Sequence, residues 1–167
     1  MKYKLTDNFL KEEDFKEIQY QMTEGSTFPW YYNQYVTTAD QVEDQFQFTH
    51  TFFKEWEFHS EWAKMLNPLL IAINPKAWLR IKANLGPRQS EIVEQGWHTD
   101  FDFHCTTAVF YLNDTDGYTI FEDGTKVESK ANRLVEFDSQ LKHSGTSHTN
   151  TRTRVVLNLN YIKESGK

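Results

Sequence analysis

The sequence is poor in features that mark several classes of protein. It holds one cysteine, Cys105, which excludes an intrachain disulfide and favours a reducing compartment. Asp and Glu (24) outnumber Lys and Arg (18), and no basic run occurs, which argues against duplex nucleic acid as a partner. The longest apolar stretch, near residues 66–73, is too short to cross a bilayer, and the first residues lack the apolar core of a signal peptide. We therefore expect a cytoplasmic protein with no membrane contact.

Aromatic residues are abundant. The chain of 167 residues contains 13 Phe, 8 Tyr and 5 Trp, and large rings bury much surface per residue. This length and composition predict a single domain over residues 1–167 with a substantial core.

Periodicity divides the chain near residue 75. Apolar residues at helical spacing predict a helix over 9–22 and a second helix over 57–73. Beyond Pro75 the sequence turns to short runs of β-branched and aromatic residues separated by turn signals, including a hairpin over 117–128. The pattern predicts a mainly β fold with a helical N-terminal support over about 1–75 and a β core over about 76–163. A sandwich or a jelly roll suits the number of strands.

The segment GWHTDFDFH (96–104) concentrates polar residues among aromatics. On a strand, His98 and Asp100 point to the same face, so they can offer two ligands to one metal ion. His143, in a loop-like stretch between two predicted strands, is a candidate third ligand, and His148 competes with it. Two histidines and a carboxylate leave coordination positions open, which suits Fe(II), with catalytic zinc as the alternative. The simpler interpretation is a set of exposed polar residues on a strand.

Two arginines precede the last apolar run. Arg152 and Arg154 begin RTRVVLNLNYI (152–162), where burial of a guanidinium is costly unless it meets an anion. A dicarboxylate co-substrate would supply that anion in a bidentate pairing. An exposed charge at a strand end remains the alternative for one of the two.

Together these residues resemble the iron(II)/2-oxoglutarate-dependent dioxygenases. His98-Thr99-Asp100, His143 and an arginine before a final strand are similar to the prolyl-4-hydroxylase-like branch, and within it to small enzymes encoded by tailed phages. The resemblance covers about residues 78–162. It implies a double-stranded β-helix core (jelly roll, cupin-like), the cofactors Fe(II), 2-oxoglutarate and O2, and a location in the host-cell cytoplasm if the chain is phage-encoded.

The resemblance also assigns roles to individual positions. It implies that His98, Asp100 and His143 bind iron and that Arg154, or else Arg152, pairs with the distal carboxylate of 2-oxoglutarate. FYLND (110–114) matches a family strand whose tyrosine helps to bind that carboxylate, which indicates Tyr111. Further pocket positions are expected at Asn84, where many relatives have a tyrosine, and at Thr107, Val109, Asn158 and Asn160. Asn160 also stands where the DNA-repair demethylases carry a second arginine, which argues against that branch.

The resemblance implies hydroxylation of a substrate C–H bond with release of succinate and CO2. The expected substrate is a prolyl or other side chain of a protein or peptide, with a small molecule such as a free amino acid as the alternative. A cupin-type protein with zinc hydrolase or isomerase activity is the competing function. Asp102 and His104 continue the alternation toward the pocket mouth, and Lys82 and Arg88 are candidate substrate contacts, although solvated charges are the simpler interpretation of all four.

Overall fold

A computed structural model describes residues 2–36 and 45–163, so the predicted domain over 1–167 includes residues outside those described. Along the described chain the elements are β1 (Tyr3–Thr6), α1 (Glu12–Thr23), β2 (Tyr31–Asn33), β3 (Gln47–Lys54), β4 (Glu57–Phe58), a 3-10 helix (Glu61–Leu66), α2 (Asn67–Ile73), β5 (Ala77–Pro87), β6 (Thr106–Tyr111), β7 (Tyr118–Phe121), β8 (Lys126–Glu128), β9 (Arg133–Asp138), β10 (His143–Gly145) and β11 (Thr153–Ile162).

Within the described ranges the strands form two antiparallel sheets. The larger sheet has the order β1-β9-β6-β11-β5-β3-β2, with β4 paired to β3, and the smaller one has the order β10-β7-β8. Sequentially distant strands are therefore neighbours, as in a jelly roll. The predicted fold class, mainly β with N-terminal helices and a double-stranded β-helix core, is confirmed.

The larger sheet is buried on both faces, and alternate side chains divide between them. Phe110 and Leu157 pack on one face against the helices, together with Ile18 of α1 and Leu69 of α2. The opposite face contributes a second apolar cluster with the smaller sheet: Val109, Tyr111, Phe121, Val127, Val135, Phe137 and Val156. A cavity lies on this second face, so the polar residues of the site occupy the same alternate positions as this cluster.

The predicted helix over 57–73 is correct only in its second half. Residues 57 and 58 form β4, and Ser60 caps a 3-10 helix by accepting a hydrogen bond from the Trp62 amide. Pro68 occupies the first turn of α2, where a missing N–H costs nothing, but it prevents a continuous α-helix through the preceding turn. The expected helical support over 1–75 therefore also contains β1 to β4.

Two other local predictions are confirmed. The helix predicted over 9–22 is α1, which buries Phe15, Ile18 and Met22. The predicted hairpin consists of β7 and β8, and Gly124 in its turn has a φ of +84°, a value that favours glycine. In the described part of the chain, no helix is both long and apolar enough to cross a membrane.

Candidate active site

Backbone pairing brings the three predicted metal ligands together. The amides and carbonyls of His98 and His143 exchange two hydrogen bonds of 3.0 Å each, and the Asp100 amide donates to the Ser139 carbonyl at 3.0 Å. One potential donor atom from each of His98, Asp100 and His143 lies within 4.8 Å of the others. The stretch around His98 is therefore held against β10 and the turn before it, and three donors of the type that binds divalent metals converge.

Both histidines are oriented by the main chain. Nδ1 of His98 lies 2.9 Å from the Gly96 carbonyl oxygen, and Nδ1 of His143 lies 2.9 Å from that of Leu141. A carbonyl oxygen only accepts, so Nδ1 carries the proton in each neutral ring and Nε2 keeps a free lone pair. Burial first, and then the neighbouring His98, lower the pKa of His143, which favours the neutral ring that a metal needs.

The carboxylate of Asp100 is held by three groups. Its Oδ2 accepts hydrogen bonds of 2.8 Å from both the Thr107 hydroxyl and the Asn160 amide, and its Oδ1 lies 3.2 Å from Nη2 of Arg80. Burial alone would raise the pKa of Asp100, but the charge of Arg80 and these hydrogen bonds outweigh it and lower the pKa. Asp100 is thus an ionised, fixed carboxylate. Thr107, expected in the pocket floor, contacts Asp100 instead.

A cavity of about 400 Å³ opens between the two sheets beside these ligands. Four residues predicted for the pocket, Arg154, Asn84, Asn158 and Val109, line it together with His98, Asp100 and His143. Val109 and Val156 add apolar surface. The predicted pocket set is therefore largely gathered in one cavity.

Arg154 is a buried cation with no counter-ion among the described residues. The residue is only 9% exposed. Its Nε donates to the Ser129 hydroxyl at 2.7 Å, and its guanidinium carbon lies 5.7 Å from the centroid of the Tyr111 ring. Among the described residues, no carboxylate forms an ion pair with it. Burial lowers the pKa of this guanidinium, which shows the cost of holding the charge here. An anionic ligand in the cavity would offset that cost.

Two expectations about the 2-oxoglutarate pocket differ in the structure. The Tyr111 hydroxyl is fully buried and donates to Thr119 Oγ1 at 2.7 Å, and it is Thr119 that reaches the cavity wall. Arg152 is exposed and lies outside the cavity, because β11 begins one residue later, at Thr153. Arg154 is therefore the arginine that faces the cavity, and its guanidinium packs over the ring of Tyr111.

The alternation expected over 96–104 is also wrong. Apart from one bridge at His98, this stretch is irregular, so side chains do not alternate between two faces. Asp102 and His104 are exposed, and His104 pairs with Asp138 at 2.8 Å on the outside. Neither of them reaches the cavity.

Sequence reasoning missed Arg80 and Thr119. Arg80 lies on β5, where it alternates with Lys82 and Asn84, and all three residues line the cavity. Alternating polar residues on an otherwise apolar strand were the available signal for a cavity-facing side. His148, the competing ligand, is fully buried and does not line the cavity.

Comparison with known proteins supports the fold. No protein-family model and no curated protein matches the sequence. Among solved structures, a Pseudomonas putida prolyl-4-hydroxylase aligns with 16% identity and a TM-score of 0.64, covering 98% of this chain and 94% of that one. A Trichoplax adhaerens prolyl hydroxylase in complex with a hypoxia-inducible factor peptide fragment has 13% identity and a TM-score of 0.70, with 97% and 84% covered.

A third solved structure carries ligands. HygX from Streptomyces hygroscopicus, with nickel and 2-oxoglutarate bound, shows 10% identity and a TM-score of 0.60, with 98% of this chain and 84% of that chain covered. The chain therefore has the fold of the prolyl-4-hydroxylase-like 2-oxoglutarate and Fe(II) oxygenases, as the sequence resemblance predicted.

Proposed function

We propose that the protein is an Fe(II)- and 2-oxoglutarate-dependent dioxygenase that hydroxylates a substrate C–H bond and releases succinate and CO2. The observation that carries this proposal is one cavity lined both by the His98, Asp100 and His143 donors and by the guanidinium of Arg154, which has no counter-ion among the described residues. A metal alone would explain the three donors. Only a metal together with an anion accounts for the arginine as well.

The donor set fits the metal. Two imidazoles and one carboxylate leave open coordination positions, which suits non-haem Fe(II) and a chelating co-substrate. Because Nδ1 of His98 and of His143 faces a main-chain carbonyl oxygen, Nε2 is the nitrogen of each ring that is free to bind a metal, and the ionised carboxylate of Asp100 provides the oxygen donor. A guanidinium fork suits the far carboxylate of 2-oxoglutarate.

When bound, the iron and 2-oxoglutarate supply the oxidising chemistry for C–H hydroxylation. The residues of this chain bind and orient. Thr107 and Asn160 hold Oδ2 of Asp100, which leaves Oδ1 for the ion, and Ser129 and Tyr111 fix the Arg154 guanidinium. Val109 and Val156 present apolar surface that limits water in the cavity.

We propose a prolyl or other side chain of a peptide or protein as substrate. Similarity in fold to two prolyl hydroxylases, one of them in complex with a peptide, supports this class. A free amino acid is the alternative, since a cavity of about 400 Å³ admits one. A cytoplasmic location, where a free thiol such as Cys105 persists, belongs to the same proposal.

Release of succinate tests the function. Turnover of 2-oxoglutarate should require added Fe(II), and Asp100→Ala should abolish it together with the thermal stabilisation by metal and 2-oxoglutarate. Asp102→Ala is the matched control, since Asp102 is exposed in the same stretch, and it should keep activity within about twofold. Stabilisation of the wild type by Zn(II) with no further effect of 2-oxoglutarate would instead favour the hydrolase or isomerase alternative.

A further inference from the structure

The described residues that line the cavity have a net charge opposite to that of the whole sequence. Acidic residues exceed basic ones by six in the sequence. Among the described residues that line the cavity, however, Arg80, Lys82 and Arg154 stand against a single acid, Asp100. A basic pocket in an acidic protein concentrates anions, because low-dielectric walls focus its field.

Iron and co-substrate do not remove this excess. The charges of Fe(II) and of the 2-oxoglutarate dianion cancel, so the three bases still exceed Asp100 by two positive charges. Arg80 already pairs with Asp100 at 3.2 Å, and Arg154 is the partner proposed for 2-oxoglutarate. Lys82 is the base that remains without an assigned anion.

Lys82 is placed to meet a ligand rather than solvent. It lies in the middle of β5, is half-buried, and forms no ion pair with any carboxylate in residues 2–36 and 45–163. Burial first, and then the charge of Arg80, lower the pKa of its ammonium group. An anion beside Lys82 would offset both effects.

Strand register separates Lys82 from the arginine. In the β5–β11 pair, Lys82 is opposite Asn158, whereas Arg154 is opposite Gly86. Four residues of strand, at about 3.3 Å each, put about 13 Å between these two positions. Lys82 is instead two residues from Arg80, which contacts the predicted metal ligand Asp100. Lys82 and Arg154 therefore lie at different positions along the cavity wall, and Lys82 is on the side of the predicted metal ligands.

We propose that the substrate carries a carboxylate that Lys82 binds, with the amide of Asn158 beside it, close to the bond that is oxidised. This inference rests on the proposed function, because it assigns the anion of Arg154 to 2-oxoglutarate. Two sources share this chemistry: an acidic side chain within a peptide, and the terminal carboxylate of a small molecule such as an amino acid.

Isosteric pairs of ligands that differ only in charge test this inference. Protein loaded with Zn(II) and saturated with 2-oxoglutarate, so that Arg154 is occupied, is titrated by ligand-observed NMR. N-acetyl-aspartate α-amide against N-acetyl-asparagine amide probes a peptide side chain. N-acetyl-alanine against its amide probes a terminal carboxylate. We expect the carboxylate of at least one pair to bind about tenfold more tightly than its amide, which identifies the source.

Variants assign the effect to the residue. In Lys82→Gln, the affinities for the carboxylate and the amide ligand should differ by no more than about twofold. Lys82→Arg keeps the positive charge and should keep the preference for the carboxylate. Lys76→Gln, at an exposed position just before β5, should leave the preference unchanged. None of these changes should alter the dissociation constant of 2-oxoglutarate by more than about twofold.

Three results would overturn the inference. Equal binding of the carboxylate and the amide ligand by the wild type would show that the protein does not recognise a carboxylate on the substrate. A preference that survives in Lys82→Gln would place the anion elsewhere. Loss of 2-oxoglutarate binding in Lys82→Gln would assign Lys82 to the co-substrate. If the wild type itself binds no 2-oxoglutarate, the proposed function fails first and this inference fails with it.

Discussion

Nη2 of Arg80 lies 3.2 Å from Oδ1 of Asp100, the carboxylate oxygen that Thr107 and Asn160 leave free. Arg80 also donates from Nε to Asn160 Oδ1 at 2.9 Å, and its guanidinium carbon lies 5.6 Å from the centroid of the Phe101 ring. The arginine therefore neutralises a buried carboxylate in the metal-free protein. The same position makes it a competitor of any cation that binds Oδ1.

Replacement of Arg80 should separate these two effects. In Arg80→Met, the metal-free protein should lose about 1–3 kcal/mol of unfolding free energy, because the buried Asp100 loses a charged partner. Metal should bind more tightly, because a positive charge near the ligand oxygen is gone. Urea denaturation and Mn(II) titration measure the two quantities, with Arg80→Lys as the charge-preserving control. Weaker metal binding in Arg80→Met would show that Arg80 orients Asp100 instead of competing.

Asn160 links three groups of the site and should support metal binding without touching the ion. It donates to Asp100 and to the Thr107 hydroxyl, and it accepts from Arg80. Loss of such supporting hydrogen bonds lowers metal affinity about 10–100-fold, and we expect this for Asn160→Leu. Asn158→Leu, two residues away on β11, is the matched control and should keep the metal affinity within about threefold. Equal losses in both variants would point to a general defect of the strand.

The two neighbouring arginines allow a paired test of co-substrate binding. Arg154→Gln should weaken 2-oxoglutarate binding by about 2–5 kcal/mol, as expected when one partner of a buried charge pair is removed. The metal-free variant should be as stable as the wild type or more so, since the Arg154 guanidinium of the wild type has no counter-ion in residues 2–36 and 45–163. Arg152→Gln, at an exposed position, should change neither property. Calorimetric titration of 2-oxoglutarate into the Zn(II) protein checks both variants, and a larger loss in Arg152→Gln would reverse the assignment.

Local sequence patterns indicated the polar residues of the site but not all of their contacts. The spacing of His98 and Asp100, with His143 downstream, predicted a set that lies within 4.8 Å, although iron binding by it stays a prediction. A strand over this stretch would point Asp102 toward the cavity, whereas the simpler interpretation of a solvated charge agrees with its exposed position. The true path of the stretch depends on hydrogen bonds to His143 and Ser139, about 40 residues away, and no local periodicity encodes such bonds.

Local sequence patterns did not predict the contacts between the two sheets either. The resemblance of FYLND to a family strand indicated Tyr111, but whether its hydroxyl meets a ligand or Thr119 depends on the separation of the sheets. Arg80 carried a signal only in the alternation of polar residues along β5, and its partner Asp100 lies in another part of the chain. Pairings of this kind follow from tertiary packing, so the sequence alone left them undetermined.

His148 predicts a dependence of stability on pH. It is fully buried, and neither ring nitrogen has a hydrogen-bond partner in the described part of the chain. Burial first, and then the charge of Arg154, hold its pKa below the reference value of 6.5. The unfolded chain therefore takes up the proton first, and the unfolding free energy should fall as the pH drops below about 6.5.

His148→Leu should remove much of this dependence. It should also stabilise the protein by about 1 kcal/mol near neutral pH, because two unsatisfied buried nitrogens are lost. His50, another buried histidine whose pKa is lowered by burial, should account for part of the slope that remains. Urea denaturation at about pH 7.5 and about pH 5.5 gives the comparison. A slope as steep as that of the wild type would contradict this role for His148.

Asn132 ties the N-terminal segment to the sheet that carries the site. It is 7% exposed, has a φ of 60°, and exchanges two side-chain hydrogen bonds of 2.9 Å with the backbone of Leu10. Its backbone amide donates to the Tyr111 carbonyl at 3.0 Å.

Asn132→Ala should lower the unfolding free energy by about 2–4 kcal/mol, since it leaves the Leu10 amide and carbonyl unpaired and puts alanine in a left-handed conformation. Asn132→Gly loses the same hydrogen bonds but tolerates that conformation, so it should be less destabilised by about 1 kcal/mol. Chemical denaturation of both variants measures the difference, and a glycine variant as unstable as the alanine variant would mean that the hydrogen bonds alone determine the effect.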